Sequence, residues 1–313
     1  MDQFWETFVE KYWDKVPGVF EDVSAIDLSE DDIFEGFRRC FAKIVKSESV
    51  AGLASLYIER STALQPDFTS FIPPDSCNLR EYIALVTERL NGRRFGINIH
   101  QFHRHQPKAW GPMLEFVRPL FGRIGIPSDR VESAVFFGNY RTTPFGIHRD
   151  IGNSVFTFPV LGKKRFLAWP PGHFEQNPLS IYFHPQPSDH AEGSLVLDGA
   201  KGNMIFWPRN WMHVAHDDVD APHAAFSVGT WSEATSNNRL LELARHSIEK
   251  MGNDTRLPAG VAMDGRVPDE LLGAIAAFEK RVQDGTFRAE ALESWKARID
   301  NLGFTVLPAE VAE

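Results

Sequence analysis

The tripeptide His148-Arg149-Asp150 carries the most specific chemistry in this sequence. Successive side chains of an extended strand point to opposite faces, so His148 and Asp150 are expected on one face and Arg149 on the other. An imidazole and a carboxylate on one face supply two of the three donors of a 2-His-1-carboxylate triad. Such a triad holds a non-haem iron from one side and leaves the opposite positions open. A second histidine must come from a later strand, and segment 202–213 offers one. It reads as an apolar strand over 204–207, a turn at Pro208, and then His213 flanked by Met212 and Val214 at a strand start. The expected triad is His148, Asp150 and His213. His216 and His223 compete for the third place, but both lie in or beside the polar run 216–222, which reads as a solvent loop. His100, His103 and His105 have no carboxylate spaced among them and read as structural.

The elements that must position these groups change character along the chain. From Val131 onward, short runs rich in aromatic and β-branched residues alternate with Gly, Pro and Asn. Strands are expected over 132–137, 155–160, 163–169, 195–197, 204–207 and 224–231. Regular short strands of this kind predict a sandwich or barrel, and Gly162 reads as the tight turn of a hairpin over 156–169. Upstream the pattern is mostly helical. Phe4, Trp5, Phe8, Val9 and Tyr12 recur at helical spacing until Pro17 and Gly18. Ser29 with Asp32 is an N-cap signature ahead of an apolar face made by Ile33, Phe34, Phe37, Phe41 and Ile44. A strand over 53–58, a loop at Pro66, Pro73 and Pro74, a helix over 78–90, a strand over 95–102 and a helix over 109–121 follow. Helical periodicity returns after Asn237, in 240–244, 271–282 and 289–302, with a boundary in the Gly- and Pro-containing loop 253–269. Three regions are therefore expected: helical 1–93, a β core over 94–235, and helical 236–313.

Composition limits the alternatives. With 313 residues, 43% of them apolar and 25 of them Phe, the chain can bury a large core. No run approaches the length of a bilayer span and the N-terminus lacks a signal-peptide pattern, so a cytoplasmic protein with no membrane contact is expected. Cys40 and Cys77 form neither a disulfide framework nor a metal spacing. A net charge of −9 argues against sequence-independent attachment to nucleic acid.

Taken in order, several segments resemble the JmjC and cupin-type Fe(II)- and 2-oxoglutarate-dependent oxygenases, especially the branch of ribosomal oxygenases and asparaginyl hydroxylases. FVEKYWDKVP at 8–17 is similar to that family's opening helix, and His148 to Asp150 to its His-x-Asp motif. GKKRFLAWPP at 162–171 resembles the following strand, segment 202–213 the Gly-Asp/Asn…Pro-x-x-Trp-x-His stretch, and FSVG at 226–229 the closing strand. The resemblance implies a mainly β fold, with a double-stranded β-helix (jelly-roll) core flanked by helices. It also implies that 2-oxoglutarate chelates Fe(II) through its 1-carboxylate and 2-keto oxygens, and that oxygen completes the reaction. The far carboxylate would meet Lys164, which shares a strand face with Phe166 and Ala168 rather than with Lys163 and Arg165. Thr143 is implied as a hydroxyl partner of that carboxylate, and Asn139 and Ser227 as further pocket residues. Of Phe136, Phe137, Phe156, Phe158 and Trp207, one or two are expected to reach the cavity. The implied activity is hydroxylation of a C–H bond with release of succinate and carbon dioxide, on a protein or peptide side chain. The alternatives are a small-molecule hydroxylase and a non-catalytic metal-binding cupin module. Leu271, Ile275, Phe278 and Val282 on one helix face predict a homodimer.

Overall fold

A computed structural model describes residues 2–23, 26–47, 53–59, 61–62, 71–144, 146–174, 181–182, 186–217, 221–233, 235–252 and 267–304. Pro66 and most of the expected boundary loop 253–269 lie outside these residues.

Four helices precede or interrupt the first strands: α1 (Asp2–Lys11), α2 (Glu30–Ser47), α3 (Leu79–Arg89) and α4 (Trp110–Ile124). Their starts follow from side-chain caps. Ser29 Oγ accepts from Asp32 N at 3.1 Å while the Asp32 carboxylate accepts from Ser29 N at 3.0 Å. Asn78 and Glu81 make the same reciprocal pair ahead of α3. Between these helices run β1 (Gly18–Phe20), β2 (Ala54–Ile58), β3 (Ser61–Thr62) and β4 (Phe95–His100). The N-terminal region therefore contributes strands as well as helices, and β1 was too short to show a period in the sequence. The remaining strands are β5 (Arg130–Gly138), β6 (Ile147–His148), β7 (Asn153–Leu161), β8 (Lys163–Trp169), β9 (Ile181–Tyr182), β10 (Leu195–Ala200), β11 (Met204–Trp207), β12 (Met212–Ala215) and β13 (His223–Trp231).

These strands build two antiparallel sheets, the layout of a jelly roll. The larger has the order β1-β11-β7-β13-β5-β4-β2-β3 and the smaller β10-β8-β12-β6-β9. The helices α1, α2 and α4 cover one face of the large sheet through aromatic contacts. Phe8 meets Phe206 at 4.8 Å, Phe116 meets Phe156 at 5.3 Å and Phe37 meets Phe137 at 5.1 Å between ring centroids. Covered on one face by helices and on the other by the second sheet, β7 is buried at every position. That double burial erases the polar alternation a half-exposed strand would show.

One sequence expectation fails here. β7 and β8 are not a hairpin: β7 pairs with β11 and β13, whereas β8 pairs with β10 and β12. Gly162, with φ of +70°, turns the chain from one sheet into the other, and a Cβ there would lie 2.8 Å from the Pro222 carbonyl oxygen. Each strand finds partners distant in sequence because both sheets need filling on either side.

The C-terminal helices α5 (Ser236–Glu249), α6 (Asp269–Gln283) and α7 (Thr286–Asp300) hold one another largely by polar contacts. Glu290 accepts from Ser247 Oγ at 2.6 Å and from Arg281 Nη2 at 2.5 Å. Arg298 anchors α7 to the core by donating to the Pro127 carbonyl oxygen. Among the described residues α6 buries none, and Leu271, Ile275 and Val282 are exposed at 38%, 45% and 49%.

Candidate metal centre

The short strand β6 pairs on one side with β12, placing His148 directly opposite His213, and on the other with β9. β6 stops at His148, so Asp150 is delivered by the turn that follows rather than by strand alternation. The Asp150 carbonyl accepts from Asn153 N at 3.4 Å as the chain turns into β7. Arg149 is exposed and does not line the cavity that His148 and Asp150 face. The donor atoms of His148, Asp150 and His213 all lie within 4.8 Å of one another, and among the described residues they are the group able to hold a metal ion. His213 Nε2 is 3.6 Å and His148 Nε2 is 3.9 Å from the Asp150 carboxylate.

The hydrogen bonds of the rings suit a metal. Nδ1 of His148 lies 3.0 Å from the Gly146 carbonyl and Nδ1 of His213 lies 3.1 Å from the Trp211 carbonyl. A carbonyl can only accept, so Nδ1 carries the proton in both rings and Nε2 presents its lone pair to the centre. Burial pushes the His213 pKa down to about 4, helped by neighbouring His148 and opposed by Asp150. The ring is thus neutral at pH 7, the form a metal requires. The competing histidines are placed elsewhere. His216 Nδ1 is 2.8 Å from Thr142 Oγ1, and His223 packs edge-on against Tyr140 at 4.3 Å. His103 pairs with Ser133 Oγ at 2.8 Å and His105 is buried; His100 lies 3.3 Å from Ser55 Oγ.

The triad opens into a cavity of about 410 Å³ between the two sheets, whose walls also include Thr143, Lys164 and Ser227. Alternation along β8 puts Lys164 inside, 2% exposed, while Lys163 is exposed and Arg165 pairs outward with Asp198 at 2.7 Å. Lys164 Nζ donates to Tyr140 Oη at 2.8 Å and lies 4.3 Å from that ring's centroid. Among the described residues no carboxylate forms an ion pair with it. Burial lowers its pKa to about 7, with Asp217 opposing. A buried ammonium with no carboxylate in contact is costly, and the acid group of a ligand would offset that cost. The cavity therefore combines a metal-competent donor set with a buried lysine amine, and a metal-chelating dicarboxylate fits both.

Ser227 shares a hydrogen bond with Thr157 at 2.8 Å, and Thr143 Oγ1 accepts from Ala215 N at 3.1 Å. Asn139 corrects an expectation. Its side chain accepts from Phe95 N at 2.8 Å and donates to Thr87 at 2.8 Å, tying β4 to α3 away from the triad cavity. Phe136 and Trp207 reach the cavity, whereas Phe137, Phe156 and Phe158 belong to the core against the helices. Tyr140 carried no signal of its own in the sequence. Gly96 makes room for it, since a Cβ there would stand 2.8 Å from the Tyr140 ring.

No protein-family model matches the chain. No curated protein matches it. Among solved structures it is similar to YcfD, a ribosomal oxygenase from Escherichia coli, in complex with cobalt and 2-oxoglutarate. That likeness has a TM-score of 0.47 and 14% identity, and it covers 89% of this chain and 66% of that one. The same enzyme with cobalt and succinic acid gives a TM-score of 0.45 at 14% identity, covering 91% and 69%. The chain thus spans just under two thirds of the first of these neighbours.

Proposed function

We propose that this chain is an Fe(II)- and 2-oxoglutarate-dependent oxygenase that hydroxylates a C–H bond of a protein or peptide side chain. The observation that carries this reading is the triad His148, Asp150 and His213 sharing one cavity with the buried Lys164 side chain, which makes no ion pair with a described carboxylate. His148 and His213, fixed in the right tautomer by Gly146 and Trp211, hold the iron together with Asp150. Lys164 takes the far carboxylate of 2-oxoglutarate, with Tyr140 steadying its ammonium and Thr143 and Ser227 supplying hydroxyls nearby. When bound, iron with 2-oxoglutarate and oxygen supplies the oxidising chemistry that yields succinate, carbon dioxide and a hydroxylated substrate. The chain orients and encloses. Phe136, Phe166 and Trp207 form apolar walls that keep water from the centre, and His100, Gln101 and Glu132 border the remaining space for the substrate.

Incubation with Fe(II), ascorbate and 2-oxoglutarate and with a lysate split into protein and metabolite fractions tests this reading. A protein should gain one oxygen atom, with succinate formed. A gain confined to the metabolite fraction would establish the small-molecule alternative, and no succinate in either would sink the oxygenase reading.

The same proposal includes the division at residues 93 and 235, a cytoplasmic location and a homodimer. The exposed apolar face of α6, with Leu271, Ile275 and Val282, supports the dimer. A mass in solution of twice 35.4 kDa is expected, and a monomeric mass at micromolar concentration would count against it.

A further inference from the structure

Asp150 is the least constrained of the three ligands. It lies beyond the end of β6, in a turn, with its side chain 27% exposed. The two histidines, by contrast, sit opposite one another in a paired register and are hydrogen-bonded to carbonyls. Among the described residues the one hydrogen-bond donor to the Asp150 carboxylate is Trp207, whose Nε1 lies 3.3 Å from Oδ2. Trp207 is 5% exposed. A buried indole N–H needs an acceptor, so this bond stabilises both partners.

The same ring makes a second contact with the site. Its centroid is 4.6 Å from that of His213, with 36° between the planes, and 4.7 Å from that of Phe166 on the other sheet. One side chain therefore touches two of the three ligands, one through its edge and one through its face. Its own position is set by the backbone pairing of Trp207 with Val155 on β7, so the reference for Asp150 and His213 is the large sheet. Pro208 then turns the chain from β11 toward β12, so the support and the ligand it supports are close in sequence.

Resting on the iron reading above, we propose that Trp207 is the positioning residue of the metal centre. Its N–H engages one oxygen of Asp150, so that the carboxylate presents the other to the metal, and its ring keeps the His213 imidazole from turning. The site is thus shaped before any metal enters. Supports of this kind are worth about 10- to 100-fold in metal affinity.

Calorimetric titration with Co(II), together with the visible spectrum of the Co(II) form, tests the proposal. Trp207→Phe keeps most of the ring and deletes the N–H; Trp207→Leu deletes both contacts. In Trp207→Phe, Co(II) affinity should fall about tenfold or more and the cobalt absorption band should shift. Its metal-free unfolding temperature should stay within a few degrees of the parent. Trp207→Leu should bind more weakly still. Parent-like affinity and spectrum in Trp207→Phe would overturn the proposal, as would a lower unfolding temperature with an unchanged cobalt band. If Trp207→Phe does not fold, benzothienylalanine at 207 replaces the N–H with sulfur in the same outline, and the same two outcomes apply. A parent chain that takes up no Co(II) would instead refute the metal reading itself.

Discussion

Single replacement of His148, Asp150 or His213 by Ala should abolish succinate formation from 2-oxoglutarate, while His216→Ala retains it. Removing an outer support of a metal site costs about 10- to 100-fold, so removing a ligand should exceed roughly a hundredfold in metal affinity. Succinate release measured alongside Co(II) titration checks both effects. The control is informative because His216 lies only three residues beyond His213 yet engages Thr142 at 2.8 Å instead of the triad. Loss of activity in His216→Ala with survival in His213→Ala would move the third ligand from His213 to His216. Misfolding is a lesser concern for Asp150, whose side chain is 27% exposed and outside any strand.

The second large effect belongs to Lys164. Lys164→Met should raise the 2-oxoglutarate requirement by at least two orders of magnitude, because a carboxylate left buried without its partner costs about 3–5 kcal/mol. Lys163→Met should leave it nearly unchanged, since that side chain is exposed. Equal effects would move the anchor off Lys164. The same substitution should stabilise the cosubstrate-free protein at pH 7 and below. Burial holds the folded pKa near 7, below the ordinary 10.5, with Asp217 opposing and His223 and Tyr140 as the other ionisable neighbours. Between those values the unfolded chain binds more protons than the folded one, so the parent gains stability as pH rises. The penalty of the buried charge is thus full below pH 7 and shrinks above it. The advantage of Lys164→Met should fade over that range, as read from unfolding midpoints. Binding of 2-oxoglutarate favours the charged ammonium, so above pH 7 it should take up a proton at Nζ.

Much of this architecture could be read from residue order, and the exceptions have physical reasons. A β sandwich or barrel was legible because its strands are short, rich in β-branched and aromatic residues, and punctuated by Gly, Pro and Asn; the jelly roll in particular was what the motif resemblance implied. The start of α2 was legible because Ser29 with Asp32 is a local hydrogen-bond pattern, and the Asn78–Glu81 pair that caps α3 is of the same kind. Strand pairing was not. β7 and β8 meet at Gly162 just as a hairpin would, and only the distant partners β11, β13, β10 and β12 separate them. The grouping of His148, Asp150 and His213 followed from motif spacing, although Asp150 arrives by a turn rather than a strand face. The inward face of Lys164 followed from alternation along β8. Asn139 misled because a polar residue at a strand end can serve either side of a sheet, and here it reaches back to Thr87 on α3. Tyr140 and the Trp207 contact with Asp150 were hidden for a related reason. Each depends on a partner from another strand: the space left at Gly96 in one case, the turn after β6 in the other.

The central claim is that one cavity holds a metal at His148, Asp150 and His213 and a dicarboxylate between that metal and Lys164. Calorimetric titration of 2-oxoglutarate into the Co(II)-loaded chain and into the metal-free chain tests it most directly. Tight binding is expected only with Co(II) present, and it should be lost in both Asp150→Ala and Lys164→Met. Binding of equal strength with and without the metal, or binding that survives both substitutions, would contradict the claim.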